Sequence, residues 1–322
     1  MRNKTKIYIF FKLNAIILLG EVMVNINKKH KKLKIKKLNL IILILSFILG
    51  TIIIYKTSTY VITLINSKSK SLEQIEQEQK LKKLNNIDQK INYFNYNNID
   101  RYLEYKKENK NLSLKKIIME VNIGLDNPHY YNSKETTYLN KEYILVNKYH
   151  HLSENYIPKN LNEIDLKYAL NNMKLVNYAK DAFEKMSEDA SKENLKIIAM
   201  STYRDYTYQK NLYNKYVSID GIDLADTYSA RPGHSEHQTG LAVDVYNGTD
   251  DYNNFENTKE YEWMQKNAHK YGFILRYPKD KEKETSYQYE SWHYRYVGEK
   301  IATYIKKHNI SFEEYYVQFI EK

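Results

Sequence analysis

An uncharged run of eighteen residues, Leu38 to Tyr55, constrains this chain more than any other feature. Its length is close to what an α-helix needs to span the hydrocarbon of a bilayer. A buried core helix would explain it poorly, because the run is apolar on all sides and follows a strongly basic flank. No small-residue cleavage site follows it in the sequence, so we expect an uncleaved membrane anchor rather than a signal peptide.

The positive charge of the chain is concentrated ahead of this run. Residues 1–37 hold eleven Lys and Arg against one acidic residue, and the rest of the chain carries only +1 of the total net charge of +11. By the positive-inside rule the N-terminus lies in the cytoplasm, the protein crosses the cell membrane once, and everything after Tyr55 is extracellular. The nearly neutral remainder does not support a phosphate-binding surface, so we expect no nucleic-acid partner. Met23 is an alternative start of translation.

Four residues further along have the chemistry of a catalytic metal site: His237, Asp244, Glu290 and His293. The chain has no cysteine, so a metal ion must be held by His, Asp or Glu. Two imidazoles and one carboxylate would leave a fourth position open for water, and Glu290 would serve as the general base. Spacing alone more often reflects a structural role. Glu290 and His293 are an odd number of positions apart, so either they straddle a turn or only His293 lies on a strand.

The residues around Asp244 indicate how the backbone must run if His237 and Asp244 are to bind one metal ion. Alternating apolar residues from Leu241 to Val245 predict a strand with Asp244 on the opposite face. His237 lies an odd number of positions before Asp244, so on a straight strand the two side chains would point apart. We therefore expect a turn or bulge at residues 238–240, where a glycine tolerates unusual backbone angles.

Longer stretches around these residues resemble one family. The segment R-P-G-H-S-E-H-Q-T-G-L-A-V-D at residues 231–244 is similar to the metal motif of the zinc D-alanyl-D-alanine carboxypeptidases of the VanY type. So are Y-G-F-I-L-R-Y-P at 271–278, W-H-Y-R-Y-V-G at 292–298 and S-T-Y-R at 201–204, which follow the family's order. The resemblance covers about residues 140–310.

The resemblance implies a fold and a set of roles. The fold would be α+β, of the hedgehog/D,D-peptidase kind, in which a small, mostly antiparallel sheet with flanking helices carries a zinc site. The order of predicted strands and helices favours the same class. The roles it implies are Zn²⁺ ligands for His237, Asp244 and His293, the catalytic base for Glu290, oxyanion stabilisation for Arg204, and contact with the substrate for Ser235 and Arg204. Thr202, Ser286 and Ser291 depart from the family pattern, which puts loop shape and substrate preference in doubt rather than the chemistry.

These features predict a membrane-anchored, extracellular zinc metallopeptidase that removes the C-terminal D-alanine from peptidoglycan stem peptides. An L,D-carboxypeptidase acting on tetrapeptide stems would use the same site. A non-catalytic wall-binding zinc module is a third alternative, which Glu290 argues against, because a closed structural site needs a fourth ligand rather than a free base. His234 could compete as a ligand, although the family pattern argues against it. Ser235 has no neighbouring base pattern, so we do not interpret it as a nucleophile.

The sequence also predicts the organisation of the chain. We expect a basic cytoplasmic tail at 1–37, a transmembrane anchor at 38–55, a helical stalk at 56–98, an N-terminal extracellular part at 99–160 and the catalytic domain at 161–322. In the stalk, Ser71 and Gln74 resemble a capping box at a helix start. Further along, the patterns predict a strand at 143–149, a helix over Val176–Ala190, a strand at 195–200, a loop at 220–231, and helix N-caps at Ser113, Asp205 and Ser311.

Overall fold

The computed structural model describes residues 37–83, 91–249 and 251–321. Within these ranges the α-helices are α1 (Lys37–Lys83), α2 (Ile99–Glu108), α3 (Leu114–Ile123), α4 (Asn177–Ser191), α5 (Tyr206–Asp220), α6 (Ile222–Tyr228), α7 (Lys259–Asn267), α8 (Glu282–Thr285), α9 (Glu299–His308) and α10 (Phe312–Phe319). The strands are β1 (Lys134–Glu135), β2 (His150–His151), β3 (Leu161–Glu163), β4 (Lys174–Val176), β5 (Ile198–Ser201), β6 (Ala242–Tyr246), β7 (Phe273–Leu275) and β8 (His293–Tyr296). The chain divides into two compact units, Met1–Glu76 and Gln77–Lys322.

Helix α1 contains the predicted membrane anchor. It is long and apolar enough to cross a membrane, and its large apolar side chains between Ile42 and Ile65 are exposed. The expectation of a separate helix start at Ser71 was wrong, because α1 runs through that position without interruption. The basic tail up to residue 36 and part of the predicted stalk, residues 84–90, lie outside the described residues.

The second unit is an α+β fold whose largest sheet has four antiparallel strands in the order β5-β6-β8-β7. Two smaller sheets accompany it, an antiparallel pair of β3 with β4 and a parallel pair of β1 with β2. The predicted class of a small, mostly antiparallel sheet with flanking helices is therefore confirmed. The domain boundaries at residues 98 and 160 stay a prediction, although α3 packs against Val317 of α10 within one apolar cluster.

The two faces of the four-stranded sheet have different neighbours. On one face Val243, Val245 and Tyr294 are fully buried in the main apolar core, which also includes Phe183 of α4 and Trp263 of α7. Because side chains alternate along a strand, Asp244 and His293 point to the other face. That face is closed on the β7 side by a second apolar cluster, in which the described members include Ile274, Phe312 and Tyr316. Asp244 and His293 therefore lie on the face of the sheet opposite the main apolar core.

Several local expectations are confirmed by the side chains that begin the helices. Ser113 accepts a hydrogen bond from the backbone N–H of Lys116, and Asp205 accepts one from that of Tyr208. Ser311 and Glu314 form a reciprocal capping box at the start of α10. These caps satisfy backbone donors that the first helical turn leaves without partners.

Two other expectations were wrong. Residues 143–149 form no strand, although residues 144–146 are buried. The carbonyl of Ile144 accepts a hydrogen bond from the Arg295 guanidinium, so a side chain replaces the strand partner that the apolar pattern predicts. The predicted loop at 220–231 contains helix α6, which follows α5 after a single residue, Gly221.

Gly240 makes the turn between His237 and Asp244 possible. Its φ is +68°, and a Cβ built there would lie 2.8 Å from Leu161 Cδ2 and 3.1 Å from Val176 Cγ2. Gly248 also has positive φ, but its Cβ would meet its nearest neighbour, Ile198 Cγ1, only at 3.9 Å. A left-handed conformation costs an L-residue about 1–2 kcal/mol, so we expect both Ala variants to lower stability and Gly240→Ala to lower it more. Thermal unfolding of both variants measures this, and equal losses would show that crowding at Gly240 is unimportant.

Candidate metal centre

The backbone brings the predicted metal-motif residues together in the way that their spacing requires. A 3-10 helix, Glu236–Thr239, carries His237, and Gly240 then reverses the chain into β6. In the sheet, Asp244 pairs with Ser201 of β5 on one side and with His293 of β8 on the other. His293 is the first residue of β8, whereas Glu290 precedes the strand. Ser291 and Trp292 form a turn between them, which a hydrogen bond from the His293 backbone N–H to the Glu290 carbonyl closes, so both alternatives for that pair are observed.

The three predicted ligands form a buried cluster. His237, Asp244 and His293 each offer one ligand atom, and these atoms lie within 4.8 Å of one another. The Nε2 atom of His237 is 3.3 Å from Asp244 Oδ2, and the Nδ1 atom of His293 is 2.9 Å from Asp244 Oδ1. The planes of the two imidazole rings are inclined at 79° to each other, and their centroids are 5.0 Å apart.

His237 is in the protonation state that a metal ligand needs, with one ring nitrogen unprotonated. Its Nδ1 is 2.6 Å from the carbonyl oxygen of Thr202, and because a carbonyl only accepts, Nδ1 carries the proton. The lone pair of Nε2 is therefore free, and among the described residues this buried atom has no hydrogen-bond partner. Burial lowers the pKa of His237 to about 4, so the ring is neutral at physiological pH.

His293 is held by carboxylates on both sides. Its Nδ1 faces Asp244, and its Nε2 lies 3.6 Å from Glu236 Oε2. Although burial disfavours the imidazolium, the contacts with Asp244 and Glu236 raise the pKa of His293 to about 9. The pKa of Asp244 is well below its usual value despite burial, because the hydrogen bond and the positive charge of His293 stabilise its charged form. Asp244 and a protonated His293 therefore form a buried ion pair.

The donor set fits a divalent metal ion such as zinc. Two imidazoles and one carboxylate are ligands that zinc takes in catalytic sites, where a fourth position stays open. An imidazole nitrogen that is buried without a partner, as at His237 Nε2, is the kind of group that a metal would satisfy. Each histidine also has an oxygen near its other ring nitrogen, Thr202 O for His237 and Glu236 Oε2 for His293.

Glu290 lies beside this cluster rather than within it. Its Oε2 atom is 3.6 Å from His293 Nδ1, and its backbone N–H donates to the carbonyl of Tyr277. Burial raises the pKa of Glu290 to about 7, and the nearby charge of Asp244 acts in the same direction. A carboxyl group with this pKa can both accept and release a proton near neutral pH.

Arg204 and Ser235, the two remaining predicted site residues, also lie at this centre. The Nη1 atom of Arg204 donates to Ser201 Oγ at 2.8 Å and is 3.5 Å from Asp244 Oδ2. Its buried Nε–H has no partner among the described residues, so it remains available as a donor. Ser235 is buried, and its hydroxyl caps the 3-10 helix by accepting from the backbone N–H of His237. A contact between Ser235 and substrate stays a prediction.

The alternative ligand His234 points elsewhere. Its Nδ1 bonds to the carbonyl of Asn147 at 2.7 Å, and its ring contacts that of Tyr130 edge-on. It does not belong to the cluster of ligand atoms that the described residues form.

Sequence reasoning missed a group of buried charges next to the ligands: Glu236, Arg276, Arg295 and Glu313. A signal for two of them was present, since Arg276 and Arg295 interrupt the apolar segments F-I-L-R-Y and H-Y-R-Y. Their partners could not be recognised, because Glu313 lies far along the chain on an ordinary amphipathic helix.

The protonation of His293 makes metal binding depend on pH. A ring with a pKa of about 9 is protonated at pH 7, and it must lose the Nδ1 proton before that atom can bind a metal. We expect zinc binding at pH 7 to release at least one proton, and the apparent affinity to rise about tenfold per pH unit up to about pH 9. Calorimetry in buffers of different ionisation enthalpy measures the released protons. Binding without proton release would contradict the assignment of His293 as a ligand.

Known proteins resemble this chain over the region that contains the site. Residues 172–299 match the family model described as VanY, D-alanyl-D-alanine carboxypeptidase, a range that includes all six predicted site residues. The protein YodJ of Bacillus subtilis (strain 168) is 42% identical over 179 residues, which cover 53% of this chain and 66% of YodJ. The bifunctional D-Ala-D-Ala dipeptidase and D-Ala-D-Ala carboxypeptidase VanXYC of Enterococcus gallinarum is 31% identical over 177 residues, covering 53% of this chain and 92% of VanXYC.

Among solved structures, that of the LdcB LD-carboxypeptidase matches with a TM-score of 0.51 and 41% identity, over 54% of this chain and 85% of that chain. The chain spans between 41% and 66% of the length of three curated relatives that it matches.

Proposed function

Because this chain belongs to the VanY family of D-alanyl-D-alanine carboxypeptidases, we propose that it is a zinc-dependent carboxypeptidase that removes the C-terminal D-alanine from peptidoglycan stem peptides. The observation that carries the proposal is the buried cluster of His237, Asp244 and His293 with Glu290 at its edge. Three ligands and a neighbouring free carboxyl group are what hydrolysis needs, whereas a purely structural zinc site would be closed by a fourth ligand. A wall-binding module is therefore the weaker alternative.

The ligands would be His237 through Nε2, His293 through Nδ1, and the Asp244 carboxylate, whose oxygens lie beside both nitrogens. When bound there, zinc would act as a Lewis acid on the scissile carbonyl and make a water molecule more acidic.

Glu290 would act as the proton carrier of the reaction. Its carboxylate would accept the proton of the attacking water and then deliver it to the leaving amino group of D-alanine. The pKa of about 7, which burial produces, fits both steps. Arg204 would donate from Nε or its Nη atoms to the oxygen on which negative charge develops, and a donor of this kind typically contributes about 10²–10³ to turnover.

A second substrate class has specific support. The LdcB structure that matches this chain at 41% identity is described as an LD-carboxypeptidase in work on peptidoglycan recognition. An L,D-carboxypeptidase would remove D-alanine from a tetrapeptide stem, using the same zinc ligands and base. The two activities differ in the residue that precedes the scissile bond, which the loops around the centre would select.

We place the catalytic unit outside the cell, attached to the cytoplasmic membrane by α1. The support is the length and apolar character of α1 together with the lysine-rich segment ahead of it in the sequence. Such a protein would meet its polymeric substrate at the outer face of the membrane, where new stem peptides are added.

The test is an incubation of the full-length protein, purified in detergent and loaded with zinc, with a pentapeptide stem and a tetrapeptide stem in separate reactions. Mass spectrometry then detects the loss of one alanine. Loss from the pentapeptide alone supports the D,D activity, and loss from the tetrapeptide alone supports the L,D activity. If folded, zinc-loaded protein cleaves neither peptide, the proposed function is wrong.

A further inference from the structure

Four charged side chains form a sealed network behind the metal centre. Glu236, Arg276, Arg295 and Glu313 are each no more than 2% exposed. The Oε1 atom of Glu236 accepts from Arg276 Nε and Arg295 Nη1, both at 2.9 Å. Arg276 also makes a bidentate pair with Glu313 of α10, at 2.9 and 2.5 Å. Two positive and two negative groups therefore neutralise each other in a region without access to solvent.

One carboxylate oxygen of this network, Oε2 of Glu236, takes no part in the arginine contacts and lies near the metal centre. Both arginine contacts of Glu236 use Oε1, while the buried Oε2 has no hydrogen-bond partner among the described residues. This oxygen lies 3.6 Å from Nε2 of His293, and that nitrogen is likewise buried without a partner among the described residues. Two buried polar atoms that face each other without other partners indicate a contact that forms in another state of the site.

The hydrogen bond between His293 and Asp244 explains why this contact is long. His293 is drawn towards Asp244, to which its Nδ1 bonds at 2.9 Å. A metal ion held by Asp244 and His293 would replace that bond, so Nδ1 would lose its proton and the remaining proton would be on Nε2. That N–H points at Glu236 Oε2, the only charged acceptor near it among the described residues.

We propose that Glu236 is a positioning residue for the metal centre: it accepts the Nε2–H of His293 and so keeps the Nδ1 lone pair directed at the metal. The inference rests on the proposed zinc site. A metal-bound imidazole commonly donates its other N–H to a carboxylate or carbonyl, which fixes its tautomer and orientation. Here His237 uses the carbonyl of Thr202 in this way, and Glu236 would do the same for His293.

Arg276 and Arg295 also fix the orientation of the Glu236 carboxylate. Because Arg276 Nε and Arg295 Nη1 both donate to Oε1, the carboxylate cannot rotate without breaking two charge-assisted hydrogen bonds. Arg295 is itself held by the carbonyls of Glu142 and Ile144, and Arg276 by Glu313. The position of His293 is thus connected to α10 through Glu236, Arg276 and Glu313.

Glu236→Gln is the sharpest variant for a test. The two arginine donors hold the amide oxygen of glutamine towards themselves, so its NH₂ group faces His293. A donor at that point favours the wrong tautomer, in which Nδ1 carries the proton and cannot bind the metal. Glu313→Gln is the matched control, because it removes a carboxylate from the same network but leaves Glu236 and both of its arginine bonds in place.

The experiment measures zinc affinity of the full-length protein in detergent by competition with a chelator, together with the thermal unfolding of each variant without metal. We expect Glu236→Gln to weaken zinc binding about 10–100-fold and Glu313→Gln to change it less than threefold, while both variants unfold earlier than wild type. Equal affinity of Glu236→Gln and wild type overturns the inference and leaves the proposed function intact. Failure of wild type to bind zinc overturns both.

A second measurement does not depend on the folding of any variant. In zinc-loaded wild-type protein with ¹⁵N-labelled histidine, the imidazole spectrum of His293 reports which nitrogen carries the proton. A proton on Nε2 that exchanges slowly with solvent supports the inference. A proton on Nδ1, with Nε2 bound to the metal, overturns it.

Discussion

Replacing Glu290 by glutamine is expected to lower turnover about 10²–10⁴-fold while zinc stays bound, because a general base of this kind contributes that much to a hydrolytic reaction. The amide is close in size to the carboxyl group but cannot accept a proton. Glu290 lies next to the ligand cluster and not within it, so the ligand atoms of His237, Asp244 and His293 remain. The assay is release of alanine from the preferred stem peptide, and metal content is determined on the same sample.

The matched control for this variant is Gln288→Glu, two residues earlier on the same loop, where the side chain contacts Thr227 and is exposed. It changes charge near Glu290 without touching the ligand cluster, so we expect nearly normal turnover. If Glu290→Gln retained more than about a tenth of wild-type turnover with zinc bound, another group would have to be the base.

Replacing His237 by alanine is expected to abolish both zinc binding and turnover. The variant removes one of three ligands and also the donor to the carbonyl of Thr202. A buried carbonyl without its donor costs about 1–3 kcal/mol, so we also expect earlier thermal unfolding. The loss of activity should be at least as large as for Glu290→Gln, since the Lewis acid itself is gone. Metal analysis after dialysis distinguishes the two variants.

His234→Gln separates the loss of a ligand from the loss of a neighbouring imidazole. His234 is three residues before His237 and partly buried, but it bonds to the carbonyl of Asn147 and not to the cluster. We expect this variant to keep one zinc ion and most of its activity. Loss of zinc from His234→Gln, with retention in His237→Ala, would reverse the ligand assignment.

The resemblance of four motifs identified the three predicted metal ligands, and local rules explain how the chain brings His237 and Asp244 together. Alternation along β6 determines the face on which Asp244 lies, and the odd spacing to His237 requires a turn, which Gly240 provides at φ +68°. The odd spacing of Glu290 and His293 required that they straddle a turn or that only His293 lie on a strand, and both are observed.

The network behind the cluster could not be predicted, because no local rule pairs Glu236 with Arg276 and Arg295, or Arg276 with Glu313 of α10. Charged residues are normally expected at the surface, because an unpaired charge is costly inside a protein. Only the pairing of these four side chains makes their burial possible. The same long-range effect explains the missing strand at 143–149. Arg295 donates to the carbonyl of Ile144, which a sequence pattern assigns to a neighbouring strand.

The bidentate pair between Arg276 and Glu313 has a consequence for how the protein is made. All three proposed metal ligands precede Glu313 in the chain, so every ligand is synthesised before the segment that completes the buried network. Without that segment, Arg276 lacks two of its hydrogen-bond acceptors and α10 cannot cover the buried arginines. A protein truncated before residue 311 should therefore hold zinc weakly, although it contains every proposed ligand.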